Sequence, residues 1–225
     1  GQSDIKKLVT MPTEIVDATE TKQGYLITTS DQVVHIHTGE QVVQNELKHG
    51  TLFYSSTKDF QIAIYDTTIE IQNASRQNFE TIRIPDEIVL TQNTHFDYAN
   101  NFVAMLEDQQ LSVFSIEKRA FVLQALPLAD DKVSNFDNMK IVENFLYLST
   151  GDGILRFTLP TNIDFKFQDQ LLGSRKYFEF NALLNNEIPR AFFDIVKVNN
   201  EFWISSGDFG LSIHKQDLNK RVKDF

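Results

Sequence analysis

Five aspartates stand in short turns between pairs of alternating hydrophobic runs, and carboxylates at such regular positions can do chemistry. They are Asp31, Asp66, Asp108, Asp152 and Asp208. A ring of carboxylates can bind calcium, attract a cationic partner or supply the acids of a glycoside hydrolase. The alternative is local, because aspartate is favoured in tight turns through its side-chain hydrogen bonds and its tolerance of left-handed backbone angles. Turn preference alone explains these five residues and is the default interpretation.

A second set of acids lies in or beside the strand that we predict to be innermost in each repeat. It consists of Asp17, Asp97, Asp137 and Asp194. In a channel lined by inner strands, two carboxylates roughly 5 to 10 Å apart can hydrolyse a glycosidic bond. Sugar sites usually also carry exposed aromatic rings, and Trp203 alternates as a buried residue does.

Other catalytic and metal-binding patterns are sparse. His35 and His37 share one face of a strand, as a metal pair would, but no third ligand is evident. The chain has no cysteine, so thiolate nucleophiles and disulfides are excluded. Gly-rich phosphate loops, Gly-x-Ser-x-Gly and His-Glu-x-x-His are missing from the sequence. We therefore predict no metal and no cofactor.

Charge and composition narrow the class of partner. The sequence has 21 Lys and Arg against 31 Asp and Glu, a net charge of -10, which repels nucleic-acid phosphates and favours a basic partner. Hydrophobic residues make up 41% and charged residues 23%, a globular balance typical of a soluble protein. No run of about 18 apolar residues is present, so we predict no membrane span.

A repeat in the sequence predicts the strands that carry these residues. The turn aspartates are 35, 42, 44 and 56 residues apart, close to the period of about 40 to 50 residues of propeller blades. Each turn joins two runs of period-two alternation, which predicts a central β-hairpin. These hairpins cover residues 25–34, 61–71, 102–111, 145–155 and 202–211. The sequence therefore predicts an all-β fold of about five four-stranded antiparallel blades.

Each central hairpin is flanked by two further strand candidates. They are 14–19 and 41–47, 52–56 and 79–84, 95–98 and 120–126, 139–142 and 162–167, and 193–198 and 221–225. Residues 5–11 are predicted to add an outer strand to the last blade, which would remove an open edge. The alternative is an open or incomplete ring of six or seven blades, whose missing strands come from a partner chain.

Two repeats resemble a known family pattern. Residues 202–211 read FWISSGDFGL, which is similar to the sensor-propeller repeat aromatic-Trp-Ile-Gly-Thr followed by Asp-Gly-Gly-Leu, and residues 145–157 resemble it more loosely. Blade length is WD40-like, but the Trp-Asp dipeptide and the Gly-His pair of WD40 repeats are missing from every repeat. The resemblance implies the β-propeller superfamily and assigns no specific family.

We predict one propeller domain over residues 1–225, with an insertion at about 169–190. The residues at 181–184 tolerate helix, so we predict one or two helical turns there that end before Pro189. Insertions in repeat proteins frequently carry binding function, although this one could also cover apolar surface. Its aromatic residues and a phenylalanine that flanks it are candidates for an interface: Tyr177, Phe178, Phe180 and Phe192.

These observations predict a non-catalytic scaffold for protein-protein interaction, acting as a subunit or adaptor of a larger assembly. The insertion aromatics would be buried anchors, and the turn aspartates would steer a basic partner. The alternative is a carbohydrate-active or glycan-binding five-bladed propeller that uses the four inner-strand acids.

Overall fold

The structure is a computed structural model of the chain. It describes residues 15–21, 24–29, 32–37, 42–46, 50–56, 60–73, 79–128, 136–150, 153–161, 163, 166–179, 192–199, 201–206, 210–215 and 221–224. The chain divides into two compact units, one of residues 1–86 with 90–92 and the other of residues 87–89 with 93–225. That the chain forms a single domain stays a prediction.

The first unit contains two four-stranded antiparallel sheets, each with its strands in chain order. Blade one consists of β1 (Ile15–Thr21), β2 (Gly24–Thr29), β3 (Gln32–His37) and β4 (Val42–Glu46). Blade two consists of β5 (Phe53–Ser56), β6 (Phe60–Ile64), β7 (Thr68–Asn73) and β8 (Glu80–Arg83). In β7 buried isoleucines alternate with partly exposed polar residues, as a strand with one covered face requires.

The described residues of the second unit form three such sheets and one helix. Blade three consists of β9 (His95–Ala99), β10 (Phe102–Glu107), β11 (Gln110–Ser115) and β12 (Ala120–Pro127). Blade four consists of β13 (Phe136–Val142), β14 (Phe145–Thr150), β15 (Gly153–Thr158) and β16 (Lys176–Glu179), with α1 (Phe167–Gly173) between its last two strands. Blade five consists of β17 (Phe192–Val198), β18 (Glu201–Ser206), β19 (Gly210–Lys215) and β20 (Arg221–Asp224). The prediction of five four-stranded antiparallel blades is confirmed.

The fourth strand of blade four was predicted wrongly. The described residues of that range, 163, 166 and 167, lie outside any strand; the chain enters α1, and β16 pairs with β15 further along, within the predicted insertion. The helix forms because Phe167 and Leu171, four residues apart, bury one face against the core. Of the exposed residues between them, the two glutamines are good helix formers, and Asp169 is an acid in the first turn, where the helix dipole favours it. The helix predicted at 181–184 lies outside the described residues.

Gly153 allows β16 to pair closely with β15. Gly153 pairs with Glu179, and a Cβ atom at Gly153 would collide with the backbone carbonyl of Phe178. Only glycine permits this approach of the two backbones, so the pairing of β15 with β16 depends on it.

Two apolar cores are formed by the described residues of the second unit. The larger core lies between blades three and four, is mainly aliphatic and is covered by Phe167 of α1, whose ring centroid is 5.7 Å from that of Phe102. The smaller core joins blades four and five; it contains Tyr147, Ile154 and Phe178 from one blade and Ile195, Phe202 and Ile204 from the other. Blade four therefore packs on both sides, using opposite faces of its sheet.

The first strands of several blades share an irregularity. The pairing register shifts between Ile15 and Asp17 in β1, between Phe136 and Asn138 in β13, and between Phe192 and Asp194 in β17. Such a bulge adds one residue to a strand and bends it locally. Because the bulge has the same position in three blades, it belongs to the repeat.

No helix among the described residues is long and apolar enough to cross a membrane.

Candidate functional site

The first strands of blades three, four and five lie side by side in the second unit, with β13 in contact with both β9 and β17. Polar residues of these strands and of the turns that follow them form two groups of contacts, which we together call the inner-strand seam. It consists of Asp97, Asn100, Lys140, Glu143, Asp194 and Lys197. Four of these residues, other than Asp97 and Asp194, were not predicted as site residues.

Asp97 is the most enclosed acid of the seam, with 18% of its side chain exposed. Its carboxylate accepts a hydrogen bond from the backbone N–H of Ile141 in the neighbouring blade, and the Lys140 Nζ lies 4.0 Å from Oδ1. Burial raises the pKa of Asp97 above its ordinary value, while Lys140 and the backbone N–H groups of Ile141 and Tyr98 counteract part of the rise. Asp97 therefore joins two blades at an electrostatic cost.

Lys140 connects the second acid to the first. Its Nζ lies 3.5 Å from Oδ1 of Asp194 on β17, so one ammonium group faces carboxylates from two other blades. A second link runs alongside, because Lys197 donates to both carboxylate oxygens of Glu143 at 2.8 and 2.9 Å. The Asn100 side chain donates to the backbone carbonyl of Glu143, which ties the turn of blade three to that of blade four.

The β17 side of the seam carries exposed apolar surface. Val196 and Val198 are 43% and 41% exposed. They lie on the same face of β17 as Asp194, since alternate residues of a strand share a face. The side chain of Asp194 is 49% exposed. An acid and two valines are thus presented to solvent at successive same-face positions.

The register explains why the four inner-strand acids are not equivalent. Asp17 is paired with Thr28 and Asp194 with Ser205, each directly after the bulge, whereas Asp137 is the extra residue of its bulge. Asn138 takes the equivalent position in blade four, and it bonds the following N–H at 2.7 Å, as Asp194 does at 2.9 Å. Part of the recurrence of acidic residues is therefore a local backbone requirement.

Asp97 and Asp194 lie at different distances from the hairpin that follows their strand. Asp97 lies two residues before Ala99, which pairs with Phe102 to close its hairpin. Lys140 lies at the same distance before Val142, which pairs with Phe145 in the next blade. The structure thus brings Asp97 and Asp194 to the same lysine. The side chains of Asp17 and Asp137 are outside the described residues.

Two turn aspartates are described, and both occupy exposed hairpin turns. Asp66 accepts a hydrogen bond from the Thr67 hydroxyl at 3.3 Å. Asp108 has a φ of 51°, in the left-handed region that aspartate tolerates better than most residues. These local features agree with turn preference. The other three, Asp31, Asp152 and Asp208, lie outside the described residues.

The insertion aromatics do not form an exposed patch where they are described. Phe178 is 6% exposed and packs in the smaller core, and Tyr177 is partly buried against the larger one. The reason is β16, whose alternating side chains face the two cores on opposite sides of blade four. Phe192 begins β17 opposite Ser206, but its side chain and all of Phe180 are outside the described residues.

Arg156 lies against aromatic rings at the smaller core. Its guanidinium carbon lies 4.7 Å from the ring centroid of Phe145 and 5.2 Å from that of Phe178. Burial raises the pKa of Tyr147 to about 12, and Arg156 offsets part of that rise. The Tyr147 hydroxyl is nevertheless buried with no hydrogen-bond partner among the described residues.

No group of three or more His, Cys, Asp or Glu residues in the described part of the chain is arranged to hold a metal ion. His35 and His37 both lie in β3, opposite Leu26 and Gly24. The seam is instead an array of acids alternating with lysines. Such an array can fix strands against one another, and it can bind a cationic group at its exposed acids.

Solved structures share this architecture at very low sequence identity. Hsv2 from Kluyveromyces lactis superposes with a TM-score of 0.64 and 10% identity, over 95% of this chain and 64% of that one. The WD40 domain of Pan2 from Neurospora crassa gives a TM-score of 0.60 and 8% identity, over 94% of this chain and 65% of that one. The fold is a β-propeller.

A bacterial propeller matches to a similar degree. PorZ of Porphyromonas gingivalis, described as a surface component of a type-IX secretion system, has a TM-score of 0.59 and 9% identity, over 93% of this chain and 28% of that one. The chain thus spans less than two thirds of the length of each of these structures. No family model matches the sequence, and no curated protein matches it. The comparisons therefore show the fold of the chain and assign no family.

Proposed function

We propose that this propeller is a non-catalytic module that binds a protein partner. The observation that carries the proposal is the arrangement at β17, where exposed Val196 and Val198 lie beside a seam whose acids are shared with lysines. Exposed aliphatic side chains next to half-exposed acids are typical of a recognition surface.

The seam supports binding rather than catalysis for a physical reason. A retaining or inverting glycosidase needs one protonated acid and one free carboxylate on opposite sides of a substrate bond. Here the Lys140 ammonium lies within 4.0 Å of Asp97 and 3.5 Å of Asp194. An ammonium in this position neutralises the two carboxylates and occupies the space between them.

The partner is expected to be basic. The sequence has a net charge of -10, and the acids with the most solvent access in the seam, Glu143 and Asp194, have half-exposed side chains. Opposite charge on a partner would speed its association. The turn aspartates, together with Phe180 and Phe192, remain predicted contact residues of the same module.

Affinity capture with quantitative mass spectrometry tests the proposal. Wild type is compared with Val196→Ser/Val198→Ser, with the turn variant Asp66→Asn/Asp108→Asn, and with Val89→Ser. Val89 is 62% exposed but lies away from β17 in sequence and outside the strands, so it is a matched control. We expect one protein recovered with wild type and with the control, and lost with at least one of the two site variants. Equal recovery of the same proteins by all four would contradict the proposal.

A carbohydrate-active propeller is the second candidate. It is favoured by one observation, the raised pKa of Asp97 at a position that shares Lys140 with Asp194, since a general acid needs a raised pKa. Incubation with a panel of polysaccharides, comparing wild type with Asp97→Asn, decides between the two. Hydrolysis that the variant loses would replace the binding proposal with the enzymatic one.

A further inference from the structure

We propose that β17 is a strand-addition site, which takes an extended basic-aliphatic segment of the partner as a fifth strand of blade five. This inference rests on the proposed function and specifies where and how the partner binds. Three features of β17 carry it: its place at the edge of the sheet, its missing edge contact and its side-chain order.

Among the residues that the structure describes, β17 stands first in its sheet and pairs with β18 alone. The outer edge of a first strand carries backbone N–H and C=O groups, which can pair with an added strand. In blade four this edge is partly occupied, because the N–H of Ile141 donates to the Asp97 carboxylate of the preceding blade.

That contact between blades is not repeated at β17 among the described residues, where the Ile195 N–H donates within the strand to the Asp194 carboxylate at 2.9 Å. Lys197 is the register equivalent of Ile141, since each precedes the residue that closes its hairpin. The position of Asp97 on the preceding strand is held here by Lys140, whose ammonium has no acceptor to offer an N–H. Lys140 turns instead to Asp194. The substitution of lysine for aspartate removes the carboxylate that caps this edge in blade four.

The side chains of β17 add specificity to the edge. Asp194, Val196 and Val198 share a face at alternate positions, with 49%, 43% and 41% of the side chain or residue exposed. Side chains of adjacent strands interact directly across a ladder. A partner strand would therefore place two aliphatic residues beside the valines and a basic residue beside the acid.

The expected occupant follows from the direction of pairing. Every strand pair described in the five sheets is antiparallel, for example β17 with β18. An antiparallel partner would read aliphatic-x-aliphatic-x-basic from its N-terminus, and the mainly acidic charge of this chain favours such a segment. A second copy of the chain would have to approach against a net charge of -10 on each molecule.

Fluorescence anisotropy with a labelled peptide, acetyl-Val-Thr-Val-Thr-Lys-Thr-amide, tests the site on the full chain. A second peptide carries Glu in place of Lys. We expect the lysine peptide to bind more tightly than the glutamate peptide, with the preference lost in Asp194→Asn. Val196→Ser/Val198→Ser should weaken binding about tenfold or more, because two partly buried valine contacts are removed. Val89→Ser should bind as wild type does, and circular dichroism of each variant verifies folding.

Several results would overturn the inference. They are absence of binding to wild type, equal affinity for the two peptides, and unchanged affinity in the double valine variant. Sedimentation velocity adds another, since a dimer that the double valine variant abolishes would assign this face to a second copy. A third outcome separates the two proposals. If the peptide does not bind wild type, but affinity capture recovers a partner that is lost with Asp66→Asn/Asp108→Asn, the strand-addition site is wrong and the proposed function stands.

Discussion

Blade four packs against blade three with one face and against blade five with the other, and the two interfaces differ in kind. The blade three side is a large aliphatic core to which α1 adds Phe167 and Leu171. The blade five side is smaller and more aromatic. It includes an arginine held against two phenylalanine rings, and a tyrosine hydroxyl that has no hydrogen-bond partner in the described part of the chain. The two opposite faces of one repeat can thus be filled differently, one by apolar packing alone and the other by packing mixed with charge.

The comparison suggests where stability resides. Burial of apolar surface is the dominant favourable term in folding, so the aliphatic interface should tolerate truncation least. The polar interface and the inner-strand seam should contribute less net stability, because burying charge and hydroxyl groups costs free energy that their contacts only partly offset.

The largest effect is expected from truncating the aliphatic interface. Phe157 is fully buried in the core shared by blades three and four. Phe157→Ala should lower the free energy of unfolding by about 3–5 kcal/mol, measured by chemical denaturation. Leu172→Ala, at an exposed position of α1, is the control and should stay within about 0.5 kcal/mol of wild type. Equal losses in the two variants would remove the distinction between core and surface.

Gly153→Ala should destabilise the core between blades four and five, because it disturbs the backbone pairing of β15 with β16. The added Cβ collides with the carbonyl of Phe178, a residue of the core between blades four and five. We expect a loss of about 1–3 kcal/mol in unfolding free energy, the usual range for overpacking. Gly173→Ala is the control, since no atom lies within 4 Å of a Cβ there. An unchanged stability of Gly153→Ala would show that β16 can move away without cost.

Asp97→Asn should change how stability depends on pH. The pKa of Asp97 is raised in the folded protein by burial, so the native state holds the proton more tightly than the unfolded chain does. This stabilisation is fully present below the unfolded pKa of about 3.9 and is lost as pH rises through the folded value. Wild type should therefore lose stability relative to the variant on going from acid to neutral pH.

Denaturation curves at several pH values check this sign. Asp108→Asn is the matched control, because it removes an acid from an exposed turn of the same unit where asparagine tolerates the positive φ of 51°. A stability difference between wild type and Asp97→Asn that does not vary with pH would refute the raised pKa.

The smallest effect is expected at the unpartnered hydroxyl of the mixed interface. Tyr147→Phe removes a buried O–H without removing the ring contact to Phe202, whose centroid is 5.7 Å away. Unfolding free energy should be unchanged or rise by up to about 1 kcal/mol. A clear loss would mean that the hydroxyl bonds Arg156 in solution, and the contrast between the two interfaces would then be smaller.

The repeat made most of the fold predictable, because hairpins with period-two alternation recur in every blade. Prediction failed at residues 162–179, where a helix separates β15 from β16. Phe167 and Leu171 have a helical spacing, but a pair of apolar residues in a polar stretch is too short a signal to outweigh the expected strand. The close approach at Gly153, which admits β16, depends on backbone geometry that sequence spacing does not reveal.

The site was harder to predict than the fold. Asp97 and Asp194 were singled out, but the bulges make Asn138, rather than Asp137, the equivalent residue in blade four. A shift of one residue moves a side chain to the other face of a strand, so register errors of this size change a predicted site completely. Lys140 escaped notice because its role depends on contacts with two neighbouring blades. The sequence does carry one signal for Lys140. It lies two residues before the end of its strand, at the position where the preceding blade has an aspartate.

The inner-strand seam also bears on how a chain of similar blades assembles in the right order. Asp97, Lys140 and Val196 hold the same register position in three successive blades and carry negative, positive and no charge. Repeats that resemble one another risk pairing with the wrong neighbour while they fold. An arrangement with blade three beside blade five would leave Asp97 without its lysine and close to the Asp194 carboxylate. The charges thus distinguish these three blades from one another, which disfavours pairing with the wrong neighbour before the native order is reached.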